Sequence, residues 1–146
     1  MVNVGEKAPD FELKDQHEKM VKLSSFKGKK VLLAFFPFAF SPVCTTEHNC
    51  FRDDMNKFNV KGVEVMGISV DSTWSNKAFA DSLGIDYPLL SDFGKEVAKM
   101  YGVLRKEGFS DRAYFLVDEK GMIKYKHVMA SPGTRLDNKE LLKAMG

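Results

Sequence analysis

Two continuous apolar runs, "VLLAFF" (31–36) and "VEVMGISV" (63–70), constrain this chain more than any other feature. Each has the length of a strand, and neither shows sustained polar alternation. Both therefore read as strands covered on two faces. Between them Phe51, Met55 and Phe58 recur at spacings of four and three, with Arg52, Asp53, Asp54 and Lys57 interleaved, which predicts a helix over 45–58. Strand, helix, strand in that order is a crossover unit, which places two parallel strands in one sheet with a helix on its face.

The flanking segments complete the pattern. "FELKDQHEKMVKL" alternates apolar and polar residues on both sides of a polar break and predicts an N-terminal β-hairpin. After the second buried run, Ser72 or Ser75 can cap a helix carrying Ala78, Phe79 and Leu83, stopped by Gly84. A short strand near "YPLL" and a helix at "KEVAKMYG" follow, then two strands in "RAYFLVDEKGMIKYKHV" joined by a turn at 118–121. Asp137 and Glu140 have capping-box spacing at the start of a last helix. The expected class is α/β, a mixed central sheet flanked by helices with a hairpin at the N-terminal end. Its 146 residues suit one domain, 1–146.

Charge and composition narrow the function classes. The net charge is +2, with basic and acidic residues interspersed, so no nucleic-acid partner is expected and "KGKK" reads as a solvated turn. Met1 leads directly into "VNVGEKAPDF" without the apolar core of a secretory signal. The apolar stretch 31–40 is interrupted by Pro37 and is about half the ~20 residues of a membrane span. Two cysteines do not make a disulfide scaffold, which leaves a cytoplasmic protein with reactive or metal-binding thiols.

Both thiols lie in "PFAFSPVCTTEHNC", where the first buried strand gives way to the helix. A cysteine in a first helical turn meets amide groups with no intrahelical partner and the positive end of the helix dipole. Both favour the thiolate, the nucleophilic form. Pro37 ends the strand, Pro42 suits the helix start, and the Ser41 hydroxyl can both donate and accept in the same small space.

Three readings compete for these residues. Cys44 and Cys50 can be inert core thiols. They can ligate a metal with His48 and Glu47, although Cys50 lies ~240° around the helix axis from Cys44. Or an exposed, activated Cys44 can do redox chemistry, and the absence of C-x-x-C turns that reading away from disulfide exchange.

"PFAFSPVC" is similar to the P-x-x-x-[T/S]-x-x-C motif of the peroxiredoxins, the alkyl hydroperoxide reductase and thiol-specific antioxidant family. "GEKAPDFEL", "GISVDS", "KAFADSLGIDYPLLSDF", "VAKMYGV" and "DRAYFLVDEKGMI" also resemble that family, so the likeness runs from Gly5 to about Lys126. It implies a thioredoxin-like fold, no cofactor, and reduction of hydrogen peroxide or organic hydroperoxides at a peroxidatic Cys44. It also implies Ser41 in the Thr/Ser slot, Pro37 shielding the sulfur, Arg112 as the active-site arginine and Glu47 orienting it. Arg52 is the rival arginine, two turns along the Cys44 helix.

The resemblance implies a sulfenic acid on Cys44 that a thiol must reduce. Within the family the chain resembles a one-cysteine or bacterioferritin-comigratory-protein-like branch; many relatives read C-x-x-x-x-C-x-F-R-D, whereas this chain reads "CTTEHNCFRD", with Asn49 in the usual cysteine slot. Cα atoms six apart in an intact helix are ~10 Å from one another, too far for a disulfide. Two routes stay open: Cys50 as resolving cysteine after local unwinding, or a one-cysteine enzyme served by an external thiol or a thioredoxin- or glutaredoxin-like reductant. A homodimer is expected from the resemblance alone.

Two other functions use the same residues. A metal or redox chaperone would draw on the cysteines and on His17, His48 or His127, all three expected at the surface or in loops. A peroxide sensor would pass its oxidation to a protein partner. "FAF" (38–40) and Trp74 read first as core residues, and second as a hydroperoxide pocket or subunit contact.

Overall fold

The computed structural model describes residues 2–145. Its strands are β1 (Glu12–Lys14), β2 (Met20–Lys22), β3 (Lys30–Phe35), β4 (Val63–Ser69), β5 (Leu89–Ser91), β6 (Ala113–Val117) and β7 (Ile123–Val128). The helices are α1 (Pro42–Asp53), α2 (Met55–Val60), α3 (Thr73–Leu83), α4 (Glu96–Met100) and α5 (Asn138–Ala144), and a 3₁₀ turn spans Leu23–Phe26. All seven strands join one sheet in the order β2-β1-β5-β4-β3-β6-β7.

The crossover unit is present: β3 runs parallel to β4, and β4 parallel to β5. Antiparallel pairing of β6 with β3 and of β1 with β5 makes the sheet mixed. The N-terminal hairpin pairs Leu13 with Val21. Because side chains alternate along extended chain, β3 sends Val31, Leu33 and Phe35 into one core and Leu32 and Ala34 into the other, joined there by Phe36 just past the strand. α4 covers the first core, with Val97 and Ala98, and α1, α2, α3 and α5 cover the second, with Phe51, Phe58, Phe79 and Leu141. This is the mixed α/β sheet with helices on both faces that the element order implies.

Local signals decide the helix ends. Ser72, not Ser75, caps α3 and accepts from the Ser75 amide, and Gly84 closes the helix at φ 67°, a left-handed conformation that glycine adopts without Cβ strain. The buried set of α3 is Asn76, Phe79 and Ala80, while Ala78 is exposed. Asp137 caps α5 through the Lys139 amide. The helix expected over 45–58 is broken at Asp54, which leaves helical geometry at φ −97° and ψ 8°. There its carboxylate accepts from Asn138 Nδ2 at 3.1 Å and pairs with Lys57, tying the break to α5.

Candidate active site

β3 and β4 are parallel, so both deliver their chain to the same end of the sheet, where ligand sites of α/β folds form. There residues 36–41 turn from β3 into α1. Ser41 is the N-cap residue and Pro42 the first helical residue, where a missing N–H costs nothing. Cys44 is thus the third residue of α1, inside the turn whose amides lack intrahelical partners.

Arg112 precedes β6, the strand next to β3, and its guanidinium reaches over the α1 turn. Nη2 donates to Cys44 Sγ at 3.0 Å, and Nη1 donates to Glu47 Oε1 at 2.8 Å. Glu47, one helical turn after Cys44, also accepts on Oε2 from the Tyr114 hydroxyl. Cys44 is 0% exposed, and Arg112 and Glu47 are 1% each. Two further guanidinium hydrogens go to the Pro132 carbonyl, from Nε at 3.2 Å and Nη2 at 2.9 Å. The Leu136 amide donates to Tyr114 at 3.1 Å. Residues 132–136 thereby close over the arginine.

Burial pushes the Glu47 carboxyl above its ordinary range, although the charge of Arg112 and the Tyr114 hydroxyl pull it back. Burial works against the Arg112 charge, yet Glu47 and Cys44 more than offset it and raise its already high value. A fixed cation, with free first-turn amides beside it, complements a negatively charged sulfur.

Of the residues expected from the sequence, Cys44, Glu47 and Arg112 meet in this cluster. Pro37 is buried at the end of β3, and the Ser41 hydroxyl donates to the Phe38 carbonyl at 2.9 Å, which leaves its lone pairs free to accept. The rival Arg52 is turned away, donating to the Leu83 carbonyl at the end of α3. Cys50 is half-buried in the same unbroken helix as Cys44.

Three expectations are corrected. Cys44 is not exposed: the first turn of α1 packs into the second core and Arg112 covers the sulfur. His48 is neither a surface nor a loop residue. Its ring is 0% exposed among Phe36, Phe51, Phe79 and Tyr87, with Nδ1 2.5 Å from the Tyr87 hydroxyl. Phe38, Phe40 and Trp74 are not core residues, being 42%, 55% and 79% exposed. Among the described residues, no three His, Cys, Asp or Glu side chains gather where they could hold a metal.

Tyr114, Pro132 and Leu136 were not read from the sequence. Tyr114 carried a usable signal, since it stands two residues after Arg112, a spacing that turns both side chains to one side where the chain enters β6. The 132–136 segment carried none.

A family model described as the AhpC/TSA family matches residues 4–126. The chain is 41% identical over 137 residues to a putative peroxiredoxin ycf42 of Porphyra purpurea, covering 87% of this chain and 69% of that one. It is 38% identical over 143 residues to alkyl hydroperoxide reductase E of Mycobacterium tuberculosis, covering 95% and 93%. Among solved structures it is similar to peroxidoxin BcpB of Mycobacterium tuberculosis, with a TM-score of 0.89 at 30% identity over 99% of this chain and 97% of that one. It is also similar to the reduced 2-Cys peroxiredoxin of Plasmodium vivax, with a TM-score of 0.91 at 30% identity over 99% and 81%.

Proposed function

The chain belongs to the AhpC/TSA family of thiol-dependent peroxidases, and we propose that Cys44 is its peroxidatic sulfur. The observation that carries this reading is the Arg112 Nη2 bond to Sγ at 3.0 Å, with Glu47 holding the other arm of the same guanidinium. The Cys44 thiolate attacks the terminal oxygen of a hydroperoxide, an S–O bond forms as the O–O bond breaks, and the departing oxygen takes a proton to leave as water or an alcohol. Arg112 sets the angle of approach, because its planar fork can hold sulfur and peroxide oxygen together. Glu47 fixes that fork. Ser41 supplies a free acceptor toward the peroxide O–H, and Pro37 shields the sulfur from bulk water.

The buried sulfur adds a requirement. Peroxide reaches the sulfur only when its cover, Arg112 and the 132–136 segment that holds it, gives way, and the small size of hydrogen peroxide makes it the substrate needing least movement. The sulfenic acid then condenses with a thiol to a disulfide and water. The intact α1 between Cys44 and Cys50 favours an external thiol, of the kind a small thiol or a thioredoxin- or glutaredoxin-like protein offers, over Cys50. Dependence on a free thiol also favours a reducing compartment such as the cytoplasm. Trp74 and Phe93, 79% and 69% exposed, line one surface cavity and support a homodimer contact. One domain, 1–146, suffices for all of this.

Intact mass after one equivalent of peroxide tests the reading. Gain of one oxygen at Cys44, or a mixed disulfide when an external thiol is present, is the expected result. Loss of two hydrogens without added thiol transfers the resolving role to Cys50, and an unchanged mass refutes Cys44 as the reacting group.

A further inference from the structure

The loop that carries Ser41 into α1 is held from outside by a residue the reaction does not touch. The Ala39 amide donates to Asp71 Oδ2 at 2.7 Å. Asp71 lies just past β4, and the parallel pairing of β3 and β4 brings that point beside the chain leaving β3. Its carboxylate does not swing freely. Ser69 Oγ donates to the same Oδ2 at 2.7 Å and accepts from the Asp71 amide at 3.3 Å. Ser91 Oγ, from β5, fixes the Asp71 carbonyl at 2.7 Å. The ends of β4 and β5 therefore present one oriented acceptor to one loop amide.

That loop needs an anchor. Phe40 has φ 69°, in the left-handed region, which a bulky side chain occupies only when its surroundings impose it. On one side of Phe40 the amide of Ala39 is bound to Asp71. On the other, Ser41 Oγ donates to the Phe38 carbonyl at 2.9 Å, and the Phe40 ring packs on Phe79 with centroids 5.1 Å apart. Among the described residues, only Asp71 ties the backbone of this loop to the sheet by a charge-assisted hydrogen bond, the strong kind. Only four residues separate Ala39 from Cys44, so a slip at Ala39 displaces Ser41 and the first turn of α1 together.

We infer that Asp71 is a positioning residue for peroxide reduction, acting through the Ala39 amide to hold the Ser41 hydroxyl and the α1 turn against the Cys44 sulfur. This rests on the reading of Cys44 as the reacting thiol. The function needed is that of an acceptor at the place of Oδ2, so an amide oxygen serves there nearly as well as a carboxylate oxygen. Loss of the anchor loosens the geometry around the peroxide but leaves the thiol present and no less accessible.

The test compares wild type with Asp71→Ala, Asp71→Asn and Asp71→Ser, the last keeping a polar group one bond too short to reach Ala39. Three quantities are read: the rate of Cys44 oxidation in a single turnover with hydrogen peroxide, the rate of Cys44 alkylation by iodoacetamide, and the thermal midpoint. Misplacement on the order of 1 Å costs up to about 100-fold in rate, so Asp71→Ala and Asp71→Ser should oxidise about 10- to 100-fold more slowly. Their alkylation should be as fast as wild type or faster, and Asp71→Asn should stay within about threefold of wild type in oxidation. If Asp71→Ala does not fold, Asp71→Ser decides. Unchanged or faster oxidation in the truncations overturns the inference, as does a parallel fall in oxidation and alkylation, or Asp71→Asn behaving like Asp71→Ala. A wild type whose Cys44 is alkylated but never oxidised removes the underlying reading instead.

Discussion

His48 should make the stability of this protein fall as the solution is acidified, and the size of the fall follows from its burial. The ring is completely buried between α1 and β4, with Tyr87 as its hydrogen-bond partner and Nε2 without one among the described residues. Burial, reinforced by the nearby Arg112 charge, pushes its pKa from 6.5 down to about 3. The other titratable groups facing it act differently. Tyr87 is held well above its ordinary value by burial and stays protonated, whereas Glu47 is pushed up. For His48 the folded value lies below the unfolded one, so the unfolded chain binds the extra proton. The stabilisation is complete above the unfolded value and is lost as pH falls toward the folded value. Glu47 has the opposite sign, which is why wild type must be compared with a variant that retains it. His48→Leu keeps the volume nearly constant and removes the titration. From pH 7 to pH 4.5, integration of the proton-binding difference predicts that wild type loses about 2.5 kcal/mol relative to His48→Leu. Urea unfolding of both proteins at half-unit pH intervals measures this directly. Parallel stability curves, agreeing within about 0.5 kcal/mol across that range, would show that the ring is hydrated or charged in the folded state and would refute the argument.

Arg112→Lys keeps a charge but loses the fork that spans sulfur and carboxylate, so peroxide turnover should fall about 100-fold in a consumption assay. Arg112→Met leaves Glu47 buried without its cation and should cost about 3–5 kcal/mol in urea unfolding. Tyr114→Phe strips one donor from Glu47 and the acceptor of the Leu136 amide, a loss of about 1–3 kcal/mol by the same measurement. Gly67→Ala would set a Cβ 2.9 Å from Leu89 Cδ2, 3.0 Å from His48 Cε1 and 3.1 Å from Phe36 Cε1, and this overpacking should cost about 1–3 kcal/mol.

The parts of the fold that were legible in the sequence are those where local pattern and tertiary demand agree. The runs at 31–36 and 63–70 can be satisfied only by cover on both faces, and β3 and β4 receive it. The caps at Ser72 and Asp137 follow from chemistry within three residues. Other features depend on distant partners. The break at Asp54 is held by Asn138, eighty-four residues on, and the 45–58 periodicity is blind to it. His48 looks like a surface residue among "TTEHN" because, Phe51 apart, the aromatic rings that enclose it come from the residue after β3, from α3 and from the segment before β5. Trp74 and Phe40 fail in the other direction, since hydrophobicity says what a side chain prefers and not whether the fold has room for it. In the site, Cys44, Glu47 and Arg112 were legible through motif and resemblance. Tyr114 and the 132–136 closure were not, because a hydroxyl on a core strand and a carbonyl in a late loop leave no mark on the sequence.

The arrangement sets two demands on α1 that pull against each other. On the proposed chemistry, attack on peroxide needs the helix folded, because Glu47 must stay one turn from Cys44 to hold Arg112 in place. Reduction of the oxidised sulfur needs some of the same structure to yield, because nothing the size of a thiol reaches a fully buried atom. The inner face of α1 carries Glu47 and His48 in adjacent positions, one bound to β6 and to Arg112, the other to Tyr87. Each loses its buried partner if the whole helix unwinds, whereas movement of residues 37–41 or of the 132–136 segment gives up the Asp71 anchor or the Pro132 bonds to Arg112 and breaks neither the Glu47–Arg112 pair nor the His48–Tyr87 bond. The cheaper opening therefore lies around the helix and not in it. On the proposed reading, that ordering leaves Cys50, fixed farther along the same helix, at a disadvantage against any thiol arriving from solvent.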